Sequence, residues 1–468
     1  MTSAAVFRST TTATHLAARA PRTGPLRVAL VSFDWRRAKD PSLALGHASL
    51  SAALRHAFPR DQVTITDLTC NLANDTDNPR HVLDRLLDTD PHVAGFSTFV
   101  WNDRHVQHTI RTARARGWRG TVVLGGPQIS YAPRGTLERH YYEGFDYAVR
   151  GYGEHALVDL VRALAKGKPP SAIHGVHAFG TPDRGEQARV DLNTQPSPFE
   201  VENVLDVTAT KFHRWETQRG CPFACSFCQH RDGYAGRQHV GMDRIAREAR
   251  LLVEHATDLA VLDPTFNAGG ERPAHVLSLL HGLRGKIALQ TRFEMLTPDF
   301  IRACTALRES GTDLVLEFGV QTVVTAEARA VRRGNPRARI AHWARELHAA
   351  RIPFEVSLIY GLPHQTVVSF RASLDWCRSV LRPTRLMAWP LMLLRGTELH
   401  AQCRELGLVT RVTSPEMLRA HGIPEGRVVA DLPHVVASPS FTEVEWGEMA
   451  RMAAAEVHRD ESAVRIPC

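Results

Sequence analysis

The sequence predicts an α/β protein built from two βα series in tandem, and three observations predict it. Short apolar runs alternate with helix-period segments from Leu26 to about residue 165, and the alternation resumes at Thr208 to give six further strands. Between them lies a polar, proline-marked stretch with Lys166-Gly-Lys-Pro-Pro170 and Gln195-Pro-Ser-Pro198. The expected layout is an open doubly wound sheet over 26–165, an exposed linker over 166–207, six parallel strands with helices between them over 208–395, and a small helical closing region over 396–468. Residues 1–25 are rich in Ala, Thr and Arg without a continuous apolar stretch, so they read as a disordered tail rather than a signal peptide.

In the first series, Arg27-Val-Ala-Leu-Val-Ser-Phe33 is an apolar run with polar flanks, as a buried parallel strand requires. Leu43 to Phe58 has helical periodicity and stops before Pro59. Val63-Thr-Ile-Thr66, Val93–Val100 and Thr121–Pro127 are the next strands, with helices over His81–Leu87 and Asp103–Arg116. Asp146–Glu154 is the fifth strand and leads into a last helix. In the second series the strands are Arg214–Thr217, Leu259–Asn267, Ala288–Glu294, Leu314–Thr322, Phe354–Pro363 and Leu386–Met392, with an amphipathic helix over Met242–His255. Glu443–Ala455 is helical in the tail.

Composition excludes several classes. The chain has 468 residues, 43% of them hydrophobic and 23% charged, which describes an ordinary globular protein of more than one domain. No run of 18 apolar residues exists, so no membrane partner is expected. The net charge is +8, but basic residues are scattered and no RNA-binding motif accompanies them, so nucleic acid is not expected as a partner. Only five of the 57 basic residues are Lys.

Of eight cysteines, three stand together in Cys221-Pro-Phe-Ala-Cys225-Ser-Phe-Cys228. Cys70, Cys304, Cys377, Cys403 and Cys468 show no framework spacing. Three thiolates spaced C-x₃-C-x₂-C can hold three irons of a [4Fe–4S] cluster and leave the fourth iron open to a small molecule. A zinc knuckle is the alternative, with His230 as fourth ligand, although Cys228-x-His230 is tighter than the usual zinc spacings. Unconnected free thiols are the other.

With its flanks, Trp215-Glu-Thr-Gln-Arg-Gly-Cys-Pro-Phe-Ala-Cys-Ser-Phe-Cys228 resembles the radical S-adenosylmethionine (SAM) superfamily. The resemblance implies a partial (β/α)₆ barrel, a [4Fe–4S] cluster on Cys221, Cys225 and Cys228, and SAM bound to the open iron through its amino and carboxylate groups. It also implies reductive cleavage of SAM to methionine and a 5′-deoxyadenosyl radical, with Phe227 near the adenine and a flavodoxin- or ferredoxin-type electron donor as partner. Val93-Ala-Gly-Phe-Ser97, Leu124-Gly-Gly-Pro127 and Asp146–Glu154 resemble the Rossmann-like cobalamin-binding-type domain that precedes many such cores. Together the resemblance covers roughly residues 26–400. Ser97, Gly125 and Gly126 are then cofactor-binding candidates, the glycines letting a flat macrocycle approach the backbone; the same glycines also suit tight βα turns. Asp90-Pro-His92-Val-Ala-Gly95 spells D-x-H-x-x-G, the corrinoid motif whose His ligates cobalt, but here it leads straight into the third strand. His92 is therefore not expected on cobalt, and cobalamin is expected base-off without a His ligand.

Parallel barrels place chemistry at the carboxyl ends of their strands. That rule selects Asp263, Asn267, Arg292, Glu294, Glu317 and Gln321 as cofactor-binding candidates and Tyr360 as a catalytic one. Strand alternation puts Arg292 and Glu294 on one face, and Glu317, Gly319 and Gln321 on another. Glu317-Phe-Gly-Val-Gln321 and Ile359-Tyr-Gly-Leu-Pro363 resemble the strands that line SAM. An Arg292–Glu317 salt bridge is the structural alternative. Glu216, beside the cysteine loop, is a second catalytic candidate, as proton carrier or substrate contact.

The function implied is hydrogen abstraction from a polar small molecule in specialised, antibiotic-type biosynthesis. It ends in cobalamin-dependent C-methylation or in redox-neutral diol dehydration, with neither preferred. Radical SAM modification of RNA or peptide, and an Fe–S or zinc scaffold protein, are the alternative classes. An oxygen-sensitive cluster implies a reducing, cytoplasmic location.

Overall fold

The computed structural model describes residues 24–73, 78–138, 144–168, 170, 173–230, 237–424, 428 and 431–463, the last seven by backbone alone. The expected tail over 1–25 lies almost wholly outside the described residues. The described residues divide into two compact units, 24–35 with 46–190 and 36–45 with 191–463.

The first unit is a sheet of β1 (Leu26–Asp34), β2 (Val63–Asn71), β3 (Val93–Ser97), β4 (Thr121–Gly125), β5 (Tyr147–Val149) and β6 (Val176–Ala178), in the order β2-β1-β3-β4-β5-β6. All pairings are parallel except β5 with β6. β1 is buried on both faces apart from Arg27, as its unbroken apolar run demands. One face packs under Leu54, Phe58, Leu157, Leu160 and Val161, and the other under Val82, Leu83, Leu86, Val106 and Ile110. Apart from Phe58, which directly follows its helix, these residues come from helices Leu45–Ala57 and Gly153–Ala165 on one side and Pro79–Thr89 and Asp103–Ala115 on the other, so the sheet is doubly wound. Strand order switches direction between β1 and β3, and open parallel sheets take their ligands at such a point.

The stretch 166–207 is not the exposed connection that its prolines suggested. It supplies β6, the buried Ala188, Val190 and Leu192, and Asp183, which closes a buried ion pair with Arg150 at 2.5 Å.

The second unit is built on six parallel strands, β7 (Phe212–Trp215), β10 (Asp258–Val261), β11 (Lys286–Thr291), β12 (Asp313–Gln321), β13 (Phe354–Tyr360) and β14 (Arg385–Pro390), lying side by side in chain order. β8 (Gln218–Arg219) pairs antiparallel with β9 (Gln238–His239) in a separate two-stranded sheet. Buried residues alternate along β11, β12 and β13, with Ile287, Leu289, Leu314, Leu316, Phe354 and Leu358 on the packed side, away from the cavity described below. The ten residues 36–45 belong to this unit: Lys39 pairs with Asp258 at 2.7 Å, Asp40 with Arg214 at 3.1 Å, and the Arg37 and Lys39 cations stand over the Phe212 ring. The tail is not purely helical. It adds an antiparallel pair, β15 (Val409–Val412) with β16 (Pro433–Ala437), before the helix Glu443–Ala463. Among the described residues no helix is long and apolar enough to cross a membrane.

Candidate functional site

The cysteine loop leaves β7 and is braced from below. Asp263, fully buried, accepts from Thr217 N at 2.7 Å, Gln218 N at 3.1 Å and Thr217 Oγ1 at 2.5 Å. Burial pushes its carboxyl up to about 7, with these three donors pulling it back. Gln218 Nε2 donates to Thr265 O at 2.7 Å, and Asn267 exchanges hydrogen bonds with the Arg292 backbone at 2.8 and 3.0 Å. Farther along the loop, Ser226 N donates to Val331 O at 3.1 Å and Leu399 N to Ser226 O at 2.9 Å.

Cys221, Cys225 and Cys228 all line one cavity of about 450 Å³. Cys221 Sγ lies 3.5 Å from Thr265 Oγ1, and Cys225 Sγ accepts from Arg292 Nη1 at 3.8 Å and Arg333 Nη1 at 3.6 Å. Burial pushes the Cys228 thiol up to about 11, and the Cys225 and Cys221 sulfurs add to that. Among the described residues no three His, Cys, Asp or Glu side chains are placed to hold a single metal ion. Three thiolates facing one cavity suit a polynuclear cluster, whose irons supply the positive charge that such neighbours need.

Around the sulfurs the cavity is cationic. Arg292 is 5% exposed, stacks 3.6 Å above the Phe223 ring, and is held by Glu294 at 2.6 Å. Arg333 donates to Gly319 O, while its buried Nε has no hydrogen-bond partner among the described residues. A buried orphan donor beside the sulfurs fits a bound carboxylate.

The rest of the wall is polar. Gln290, Glu317, Gln321, Glu355 and Ser357 line the cavity, and none of these side chains has a hydrogen-bond or ion-pair partner among the described residues. Gln321 reaches the wall through a φ of +70° at an irregularity in the β12–β13 register, a backbone state that is costly for a side-chain-bearing residue. A Cβ on Gly319 would meet Gln321 Nε2 at 2.3 Å, so Gly319 makes that geometry possible.

Of the sequence-selected residues, the structure brings Cys221, Cys225, Cys228, Phe227, Arg292, Glu317 and Gln321 to this cavity. It does not bring the others. Asp263 and Asn267 are backbone braces, and Glu294 is the partner of Arg292. The Arg292–Glu317 bridge does not form. Glu216 is taken by Arg219 Nε at 2.9 Å and does not line the cavity. Tyr360 is on the wrong face: alternation from Glu355 and Ser357 turns it away, where it packs on Phe370 and Trp446 with 1% exposure. Arg333, Phe223, Thr265, Gln290, Glu355, Ser357, Met387 and Trp389 line the cavity and were not selected.

In the first unit, the side-chain-free position at Gly126 (φ +94°) is used up internally, since a Cβ there would lie 2.6 Å from Thr98 O. The Thr98 hydroxyl is likewise committed, to Gly125 O at 2.5 Å, and Ser97 O accepts from Asn102 Nδ2. Gly125 and Ser97 are partly exposed at the strand ends. Trp35, directly after β1, and Trp101, stacked on Phe99 at 4.5 Å after β3, expose aromatic surface beside the switch point, the right chemistry for a flat macrocycle. His92 lies at the amino end of β3, the opposite end, where its Nδ1 accepts from Arg27 N at 2.9 Å. His92→Ala is therefore expected to leave the absorbance of bound cobalamin unchanged; a spectral shift specific to that variant would put the ring on the cobalt.

Family models and known proteins were compared with this chain. The B12 binding domain model matches residues 37–161, and the Radical SAM superfamily model matches residues 215–377. A cobalamin-dependent radical SAM methyltransferase, TokK of Streptomyces tokunonensis, is 27% identical over 71% of this chain and 50% of its own. The 2-(S-pantetheinyl)-carbapenam-3-carboxylate methyltransferase of Streptantibioticus cattleyicolor is 31% identical over 38% of this chain and 28% of its own. The chain thus spans half or less of the length of these two relatives. Among solved structures, the radical SAM methyltransferase TsrM from Kitasatospora setae, with cobalamin and a [4Fe–4S] cluster bound, superposes with a TM-score of 0.67 at 17% identity, covering 83% of this chain and 81% of that one. The fold is shared.

Proposed function

Since this chain is a radical SAM enzyme with a B12-binding domain ahead of its barrel, we propose that it is a cobalamin-dependent methyltransferase acting on a small molecule. The observation that carries the reading is that three cysteines, an orphan guanidinium donor and five unpartnered polar side chains face one cavity. When bound, the [4Fe–4S] cluster and SAM supply the 5′-deoxyadenosyl radical, and cobalamin supplies the methyl group.

The chain's own residues do the binding. Cys221, Cys225 and Cys228 hold three irons. Arg333, with its free Nε, holds the SAM carboxylate, and Gln321, on its strained φ, hydrogen-bonds the same molecule. Arg292 is fixed by Glu294 and Phe223, so it keeps positive charge at Cys225 without needing to move. Ser97, Gly125 and the exposed rings of Trp35 and Trp101 form the face that receives cobalamin. An acidic one-electron protein of the flavodoxin or ferredoxin type delivers the electron. The named relatives are methyltransferases, which favours methyl transfer over diol dehydration; nothing among them supports a lyase.

Anaerobic protein reconstituted with iron, sulfide and cobalamin, given SAM and a strong reductant, is expected to release 5′-deoxyadenosine. With [methyl-²H₃]SAM, label should pass to cobalamin. No 5′-deoxyadenosine above the level of a Cys221→Ala control would defeat the reading. Gln321→Ala is expected to weaken SAM binding about ten- to a hundredfold at normal iron content, the worth of one hydrogen bond to a charged ligand. Unchanged SAM affinity in a folded variant would remove Gln321 from the SAM site.

A further inference from the structure

Glu317 and Glu355 stand directly opposite one another on neighbouring parallel strands, set there by the β12–β13 register. Gln290 completes the row on the β11 side, and Arg385 flanks Glu355 from β14. Like charges in directly opposed positions work against the sheet that carries them. Burial pushes the Glu317 carboxyl up, the charge on Glu355 adds to this, and Lys286 and Arg385 act in the other direction. Neither cation closes to an ion pair with Glu317 or Glu355 among the described residues.

Packing gives no reason to keep such a row, because partly buried charge without a partner costs stability. The row instead lines the cavity already described, with Ser357 and Met387 next along β13 and β14 and Trp389 beyond them. Along β12 it lies two residues, or about 7 Å, from Gly319, whose carbonyl Arg333 takes. One end of the cavity is therefore cationic and suits a carboxylate. The other is anionic and suits a cation.

We propose that the Glu317–Glu355 row receives a protonated amine of the substrate, with the carbon framework of that substrate running along Met387 and Trp389. The proposal deepens the radical SAM reading and rests on it. An ammonium has three donors, and two carboxylates with the Gln290 amide oxygen offer acceptors for all of them. The exposed Trp389 ring adds an apolar face that tolerates neighbouring positive charge. Carboxylate- or phosphate-bearing molecules are turned away from this row by the same pair. SAM is also a cation, but its amino-acid end belongs at the sulfurs and Arg333, so the two sources of positive charge are separable.

The test uses holoenzyme carrying cluster and cobalamin, saturated with SAM, and two probes of one shape: phenethylamine and its neutral isostere 2-phenylethanol. Calorimetric titration at neutral pH is expected to show the amine binding at least tenfold more tightly than the alcohol. Glu355→Gln should remove most of that preference. Because the substitution also relieves the like-charge contact, the variant without probe is expected to melt about 1–2 °C higher than wild type, whereas a carboxylate with a structural duty would melt lower. Equal binding of the two probes, no binding of the amine, a preference that survives Glu355→Gln, or a loss that falls on SAM affinity instead would each overturn the proposal. The underlying reading is judged separately, on wild-type enzyme: absence of SAM cleavage there defeats both, while cleavage without amine preference defeats only this inference.

Discussion

Replacing any one of Cys221, Cys225 and Cys228 with Ala is expected to reduce cluster iron and SAM cleavage to background. A cuboidal cluster with one open iron has no spare protein ligand, so losing a thiolate leaves two irons without protein donors. The remaining cysteines cannot substitute. Cys70 is fully buried in the first unit's sheet, and burial pushes the thiols of Cys304 and Cys377 up, which makes them inert. Cys403 Sγ donates to Leu408 O at 3.3 Å, away from the cavity, and Cys468 lies outside the described residues. Iron and sulfide content, read with the broad cluster absorbance, checks the expectation. If Cys70→Ala or Cys468→Ala lost iron as completely as Cys221→Ala, the three-ligand site would be wrong.

The largest expected effect on stability comes from Glu294. Its two oxygens take Arg292 Nη2 at 2.6 Å and Nε at 3.2 Å, and the guanidinium they hold is almost wholly buried against Phe223 and the Cys225 sulfur. Glu294→Ala leaves that charge without its partner, and such a loss costs about 3–5 kcal/mol. For the barrel unit this is on the order of a 10 °C fall in melting temperature. Glu317→Ala, which breaks no ion pair, is expected to cost far less, and the contrast between the two variants is the measurement. Burial works against the Glu294 carboxylate, but the hydrogen bond and charge of Arg292 prevail and hold it below its ordinary value. The stability the pair contributes is thus fully present above the unfolded value of about 4.3 and is lost as pH falls through the lower folded value. Equal melting temperatures for the two variants would show that Arg292 finds its compensation elsewhere.

Strand existence was legible because buried parallel strands are continuous apolar runs. The meeting of the three cysteines at one cavity was legible because their spacing is local. The residues that the sequence misplaced or missed have different physical causes. Asp263 and Asn267 are polar residues at strand exits, as ligand contacts would be, but exits are also where unpaired backbone donors need acceptors, and residue type does not separate the two duties. Tyr360 could have been placed correctly: Phe354, Val356 and Leu358 mark its parity as the apolar one, while Glu355 and Ser357 mark the cavity side. Arg333 had no pattern to betray it, since it stands in an irregular turn 108 residues from the sulfur it approaches. The same holds for Asp40 and Arg214, partners 174 residues apart.

The pairing of Asp40 with Arg214 has a consequence for how this protein can be taken apart. The chain leaves the first unit after Trp35, spends ten residues in the second, returns at Gly46 and leaves finally after Val190. No single scission separates the units. A fragment starting at Asp191 would have Phe212 without its two overlying cations, and Arg214 and Asp258 without their counter-ions. Recombination that swaps the front half for another, in the laboratory or in evolution, must carry residues 36–45 with the back half or leave it incomplete.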